Sequence, residues 1–155
     1  MRVHVSEGCC NAGPLEPGSL VADFKRLRVW RKAHALALNV DRASVKIRGQ
    51  RYAALRNQLV RAAMSIPANI VEGRAQPTER NFGRFLGYAL GSAAELEYHL
   101  IVARDVRALS DSEFISLLSQ LIEVRKMLHG LIAHLKNGLT TAPRDDPSES
   151  SAALS

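Results

Sequence analysis

Apolar residues recur at intervals of three and four along the middle of this chain, which is the spacing of one face of an α-helix. The pattern divides into four segments: about Phe24 to Val45, Arg51 to Ala75, Thr78 to Val106, and a fourth between Ser110 and Gly138. No stretch sustains the alternation of apolar and polar residues that a half-buried strand requires. The pattern therefore predicts an all-α protein, built as a four-helix bundle. The residues predicted for the inner face are Leu27, Trp30, Ala33, Ala37 and Val40 in the first helix, and Phe82, Leu86, Ala89, Ala93, Leu96, Leu100 and Ala103 in the third.

Local signals mark the helix ends. Asp23 is a plausible N-cap for the first helix, and Thr78, directly after Pro77, suits the start of the third. The sequence "SDSE" places a serine at the N-cap and a glutamate three residues later, which predicts a capping box at the start of the fourth helix. A glycine at 138 predicts that this helix stops there.

Pro67 lies in the middle of the second helical segment. A proline there supplies no N–H and crowds the carbonyl of Ala63, at a cost of about 3 kcal/mol in an isolated helix. We expect packing of the flanking apolar residues to hold the helix, and water or a nearby polar side chain, Ser65 or Asn69, to satisfy the carbonyl. The stretch is interpreted as structural, although a buried Asn69 or Glu72 would instead favour a ligand site.

Three glycines in the third helix, Gly83, Gly87 and Gly91, are each four residues apart and form a ridge without side chains. Each weakens a helix by about 1 kcal/mol, so the ridge indicates close helix packing, within the bundle or between subunits. The apolar face of the fourth helix is also wider than a helix needs to pack on the core of its own bundle. The extra residues, which suggest a subunit interface, are Ile115, Ile122, Ile132 and Ala133.

Composition limits the class of protein. The chain has 155 residues and a net charge of +6, which suits one domain with an anionic partner. No apolar run approaches the ~20 residues that span a bilayer, and the N-terminus lacks a signal-peptide core, so we expect a cytoplasmic protein with no membrane partner.

We expect residues 1–22 to be a flexible extension, 23–137 the bundle, and 138–155 a disordered tail. Cys9 and Cys10 are interpreted as incidental thiols, with intermolecular oxidation as the alternative.

Positive charge is concentrated in the first helix and the connection after it. Between Lys25 and Arg61 there are eleven Lys or Arg and one acid, Asp41, a net +10, so the rest of the chain carries −4. A solvated face is one interpretation, and an anion-binding surface is the other. The candidate nucleic-acid-binding residues are Lys25, Arg28, Arg31, Lys32, Arg42, Lys46 and Arg48.

No pattern of catalytic or metal-binding residues is apparent, so we expect neither an enzyme nor a cofactor. Di-metal bundles need a Glu-x-x-His motif on each of two helices, which this chain lacks. Glu95 and His99 have helix-surface spacing, and His34 lies at the edge of the first apolar face. The aromatic residues are expected mainly in the core, so base-specific readout is not expected.

Four blocks of the sequence resemble a known family. They are "DFKRLRVWRKAHALALNV", "LRNQLVRAAMSIPANIVEG", "FGRFLGYALGSAAELEYHL" and "LIEVRKMLHGLIAHL", and together they span about residues 23 to 137. In this order they resemble the bacterial intervening-sequence proteins, which were first found as reading frames inside large ribosomal RNA genes. The most specific block carries the motif residues Ser65, Pro67, Asn69, Glu72 and Gly73.

The resemblance implies an antiparallel up-and-down bundle that assembles into a homopentameric ring. It also implies kinship with accessory proteins of diversity-generating retroelements, which bind a reverse transcriptase and nucleic acid through a basic surface. Our hypothesis is therefore a non-catalytic oligomeric scaffold whose basic surface binds RNA, DNA or a nucleoprotein partner such as a reverse transcriptase. The alternative is an assembly module that docks an acidic protein without nucleic acid.

Overall fold

The computed structural model describes residues 23–140, with side chains as far as Asn137. Four helices follow in order: α1 (Arg28–Lys46), α2 (Ala53–Arg74), α3 (Glu79–Asp105) and α4 (Asp111–Thr140). Short 3-10 turns, Phe24–Arg26 and Gln50–Tyr52, precede α1 and α2. No strand occurs in the described range, so the all-α prediction is confirmed there. Residues 1–22 and 141–155, with Cys9 and Cys10, lie outside it.

Two predicted helix ends are wrong. Asp23 does cap a helical turn, since its carboxylate accepts from the Lys25 backbone N–H at 3.1 Å, but this is the 3-10 turn and not α1. The extended backbone of Leu27, with φ −70° and ψ 116°, separates the turn from α1. At the other end, α4 continues through Gly138 to Thr140. A glycine costs a helix only about 1 kcal/mol, so it does not by itself end one.

The other two predicted starts are confirmed. Thr78 accepts a hydrogen bond from the Asn81 backbone N–H at 3.2 Å and caps α3. At α4 the Glu113 N–H donates to Ser110 Oγ, and the Ser110 N–H donates to the Glu113 carboxylate, each at 3.4 Å. These are the two reciprocal bonds of a capping box.

The helices form a closed antiparallel bundle. Helix α1 packs against α2 and α4, and α3 packs against the same two neighbours. Lys46 at the end of α1 contacts Glu113 at the start of α4, whereas Lys32 near the start of α1 contacts Glu123 further along α4. The Tyr52 hydroxyl before α2 donates to the Val106 carbonyl after α3 at 3.2 Å, so α2 and α3 also run in opposite directions.

One apolar core runs along the bundle. All seven residues predicted for the inner face of α3 are buried: Phe82, Leu86, Ala89, Ala93, Leu96, Leu100 and Ala103. In α1 the predicted Ala33, Ala37 and Val40 are buried, but Leu27 and Trp30 are only half-buried. Val29 and Leu36 take core positions in α1 that the sequence analysis did not include.

Helix α2 passes through Pro67 without a break. Ile66 and Ile70 are fully buried beside the proline, so tertiary packing offsets the missing hydrogen bond, as predicted. The predicted role of Asn69 is wrong in one detail. Its amide donates at 2.9 Å to the carbonyl of Ser65, not to that of Ala63.

Ser65 and Asn69 also connect α2 to α3. The Asn69 amide donates to Ser65 Oγ at 3.1 Å, and Ser65 Oγ lies 2.9 Å from Ser92 Oγ. Because Ser92 donates to the Tyr88 carbonyl, Ser65 must be the donor between the two hydroxyls. Glu72 is exposed and not buried, so the polar residues of this stretch support the packing of α2 on α3.

Candidate nucleic-acid interface

Three arginines of α1 form an exposed cationic surface, which we call the arginine face: Arg28, Arg31 and Arg42. The 100° turn per residue places them on the side of α1 away from its buried residues. Arg42 donates to the amide oxygen of Asn39 at 3.2 Å, which leaves its charge intact. No carboxylate pairs with any of the three in the part of the chain that the structure describes. The arginine face can therefore accept an external anion without first breaking an ion pair.

The two lysines predicted with them have carboxylate partners. Lys32 Nζ lies 3.0 Å from a Glu123 oxygen, and Lys46 Nζ lies 2.8 Å from Glu113. Between these pairs the Asn39 amide donates to Gln120 at 2.8 Å. Lys32 and Lys46 thus form part of a polar seam that joins α1 to α4. An external anion would have to compete with Glu123 and Glu113 for them.

Glu113 is the most strongly held carboxylate of this seam. Hydrogen bonds from Lys46 and from the Ser110 hydroxyl, at 2.8 and 2.7 Å, hold its pKa below the ordinary value of 4.5. Both donors favour the charged form of the group, and they do so more than its partial burial disfavours it. Beside it, Arg42, Asn39 and Gln120 line an open polar groove of about 350 Å³ between α1 and α4.

Lys25 and Arg48 extend the cationic surface beyond both ends of α1. The Lys25 ammonium lies 6.0 Å from the centre of the Phe24 ring, before the helix begins. Arg48 is exposed in the connection to α2, next to Gly49, whose φ of +99° suits only glycine. Arg56 holds this connection by donating to the carbonyls of Ile47 and Gly49, at 2.8 and 3.3 Å.

An aromatic cluster lies within this basic region. The Trp30 and His34 rings stack with centres 5.1 Å apart and planes at 7°, and the Phe24 ring meets Trp30 edge-on at 4.9 Å. His34 is exposed and Trp30 half-buried. This stacking was not predicted from the sequence. Their spacing of four residues on one helix was the signal that could have paired them.

The expectation that the aromatic residues lie mainly in the core is confirmed only in part, since Trp30 and Tyr52 pack against the core but are not buried. Only Phe82 and Phe114 are buried, whereas Tyr88 and Tyr98 are 51% and 62% exposed. The amphipathic positions of aromatic residues are difficult to predict because a ring at the edge of the apolar face can pack sideways and remain accessible.

The glycine ridge has no packing partner within the bundle. Apart from its chain neighbours and its own helical backbone, a methyl group at Gly83, Gly87 or Gly91 would meet no atom within 4 Å. The ridge was predicted to pack closely either within the bundle or between subunits. Packing within the bundle is absent at these three positions. Three of the extra apolar residues of α4 are also uncovered, since Ile115 is 65% and Ile122 41% exposed and Ala133 is exposed, whereas Ile132 packs half-buried against the core.

A further pair of titratable side chains lies on α3. Glu95 and His99 approach to 3.6 Å as a surface pair on α3. Within residues 23–137 no three His, Cys, Asp or Glu side chains converge as metal ligands. None of the four described helices is long and apolar enough to cross a membrane.

Comparison with known proteins supports the family resemblance. The family model described as 23S rRNA-intervening sequence protein matches residues 25–130. A similar solved structure is a protein of unknown function from the S23 ribosomal protein family of Bacteroides thetaiotaomicron. It is 25% identical, with a TM-score of 0.64 over 67% of this chain and 97% of the other. No curated protein is significantly similar. Because the matched region covers α1, α2, α3 and most of α4, the chain belongs to the 23S rRNA-intervening sequence protein family.

Proposed function

We propose that this protein is a non-catalytic, oligomeric scaffold whose arginine face binds the phosphate backbone of nucleic acid. The observation that carries the proposal is the exposure of Arg28, Arg31 and Arg42 on one side of α1 without a carboxylate partner in the described structure. Guanidinium groups suit phosphate because they can donate two parallel hydrogen bonds. Lys25 and Arg48 extend the same surface, whereas Lys32 and Lys46 serve mainly the α1–α4 seam.

The proposed oligomer is a homopentameric ring, the assembly implied by the family resemblance. Its subunit contacts would cover the apolar residues that the single bundle leaves uncovered, such as Ile115 and Ile122 on α4. The open glycine ridge of α3 would allow another helix to approach closely. A ring repeats the arginine face once per subunit, so several weak phosphate contacts add up to useful affinity.

The nucleic acid would be RNA or DNA in the cytoplasm, and a reverse transcriptase is the protein partner that the resemblance implies. The family's name associates related proteins with 23S rRNA intervening sequences. The described part of the chain contains no base-reading motif. We therefore propose binding that depends on phosphate charge more than on sequence, with a nucleoprotein as the physiological target.

The test is binding of the purified full chain to fluorescent RNA and DNA over a salt series, with the mass in solution measured by light scattering. Phosphate binding predicts that affinity falls steeply as salt rises, with a log–log slope of about −0.7 to −0.9 per phosphate contacted. If a well-formed oligomer binds neither RNA nor DNA at low salt, the nucleic-acid proposal is wrong. Docking of an acidic protein would then be the function to pursue.

A further inference from the structure

We propose that the Trp30–His34 stack is a platform for an unpaired nucleobase, which makes single-stranded nucleic acid the preferred ligand. This inference rests on the proposed function and specifies its ligand. The stacked rings, with planes at 7°, present the exposed imidazole of His34 as the outer surface. Unpaired bases bind to proteins by stacking on such rings, and histidine is among those used. In a duplex the same base faces are already stacked on their neighbours.

The stack is organised before a ligand arrives. Phe24 packs edge-on against Trp30, and Trp30 itself packs against the hydrophobic core, so its orientation is fixed from two sides. His34 then rests on a ring that cannot easily rotate. A base that stacks on His34 therefore immobilises little that was free, which reduces the entropic cost of binding.

The charges around the stack suit a nucleotide. Arg31 precedes His34 by three residues, so the two are neighbours on the helix surface and the guanidinium can reach a phosphate beside a stacked base. Leu38, one turn further along the helix, is 36% exposed and continues the platform as apolar surface. Base, sugar and phosphate thus each meet a suitable group.

Tyr52 and Tyr98 suit this role less well. The Tyr52 ring also lies in the basic region, but the Arg51 guanidinium covers it at 4.5 Å from the ring centre. Tyr98 lies beside His99, which pairs with Glu95, so a phosphate there would meet an acidic neighbour. The Trp30–His34 stack combines an open ring with surrounding positive charge.

Trp30 is the chain's only tryptophan, so its fluorescence reports on this platform alone. The experiment titrates the full chain with single-stranded dT20 and U20 and with a 20-base-pair DNA duplex, at fixed salt. We expect quenching of Trp30 by the single strands and weaker binding of the duplex. His34→Ala should weaken single-strand binding about tenfold, whereas His34→Phe, which retains a ring, should restore it. His129→Ala, at an exposed histidine of α4, is the control and should bind like wild type.

The outcomes separate this inference from the proposal on which it depends. Salt-sensitive binding without Trp30 quenching, without single-strand preference and without an effect of His34→Ala would overturn the platform and leave the phosphate-binding surface intact. Binding of no oligonucleotide by any variant would overturn both.

Discussion

Gly73 of α2 lies so close to Phe85 of α3 that a side chain at position 73 would collide with the phenylalanine. A methyl group at position 73 would stand 2.6 Å from Phe85 Cβ and 3.0 Å from Phe82 Cδ2. The first distance is shorter than the separation of carbon atoms in packed side chains. Phe85 Cβ can move away only if the backbone of Phe85 moves with it. Gly73 therefore sets the separation of the two helices where they come together at the α2–α3 connection.

Gly73→Ala should destabilise the bundle by about 1–3 kcal/mol, the usual cost of forcing an extra carbon into a packed site. Thermal and urea unfolding of the purified variants would measure it. Gly130→Ala is the matched control, because a methyl group at this helical position of α4 meets no atom within 4 Å outside its own helical backbone. If Gly73→Ala is as stable as wild type, the close approach of α2 and α3 is not the reason for this glycine.

The glycine ridge offers a test of the subunit interface. Replacing Gly83, Gly87 and Gly91 together by alanine should favour the isolated α3 helix by about 1 kcal/mol per site. If the ridge contacts a second copy, the same change should weaken the oligomer, which light scattering over a dilution series would detect. An oligomer that persists unchanged in the triple variant, with a higher unfolding temperature, would contradict the proposed contact.

Glu113 should make the bundle sensitive to acid. The pKa of Glu113 in the folded protein is lowered below 4.5. Its ion pair and capping bonds therefore stabilise the fold at pH values above the pKa of this group in the unfolded chain. This contribution is lost as the pH falls through the pKa of the group in the folded protein. Glu113→Gln removes the effect, so the stability difference between wild type and variant should shrink between about pH 7 and about pH 3.

Urea midpoints at both pH values would measure this difference. Glu72→Gln is the control, because the Glu72 side chain is exposed and takes part in no described ion pair. A difference between wild type and Glu113→Gln that stays constant with pH would mean that the variant acts through packing and not through charge.

Features that depend on nearby residues were predictable from the sequence. The inner face of α3 follows directly from helical periodicity, and all of its predicted residues are buried. The capping box of Ser110 and Glu113 spans four residues, so its bonds need no information from elsewhere in the chain. Gly138 shows the limit of such local signals, since a glycine permits a helix end but does not impose one.

The candidate interface was predictable only in outline. The concentration of positive charge on α1 is a property of the sequence, but the carboxylates that pair with Lys32 and Lys46 lie on α4, far along the chain. Similarly, the helical periodicity of α1 placed Trp30 on the apolar face of the helix and His34 at the edge of that face. Only side-chain packing showed that the two rings stack at the surface.

The most direct test of the nucleic-acid proposal compares two charge-matched triple variants. One replaces Arg28, Arg31 and Arg42 by glutamine, and the other replaces exposed cations of α3 and α4, Arg80, Arg84 and Lys126. Both lose three positive charges, so only the location differs. The measurement is the slope of log affinity against log salt for single-stranded RNA, from about 50 to 200 mM.

If each arginine contacts a phosphate, the first variant should bind more weakly than wild type, with a slope shallower by about two units, while the oligomer persists. The second variant should retain most of the wild-type affinity and slope. An equal loss in both variants would mean that net charge and not the arginine face attracts RNA. A wild-type affinity that does not change with salt would contradict phosphate binding altogether.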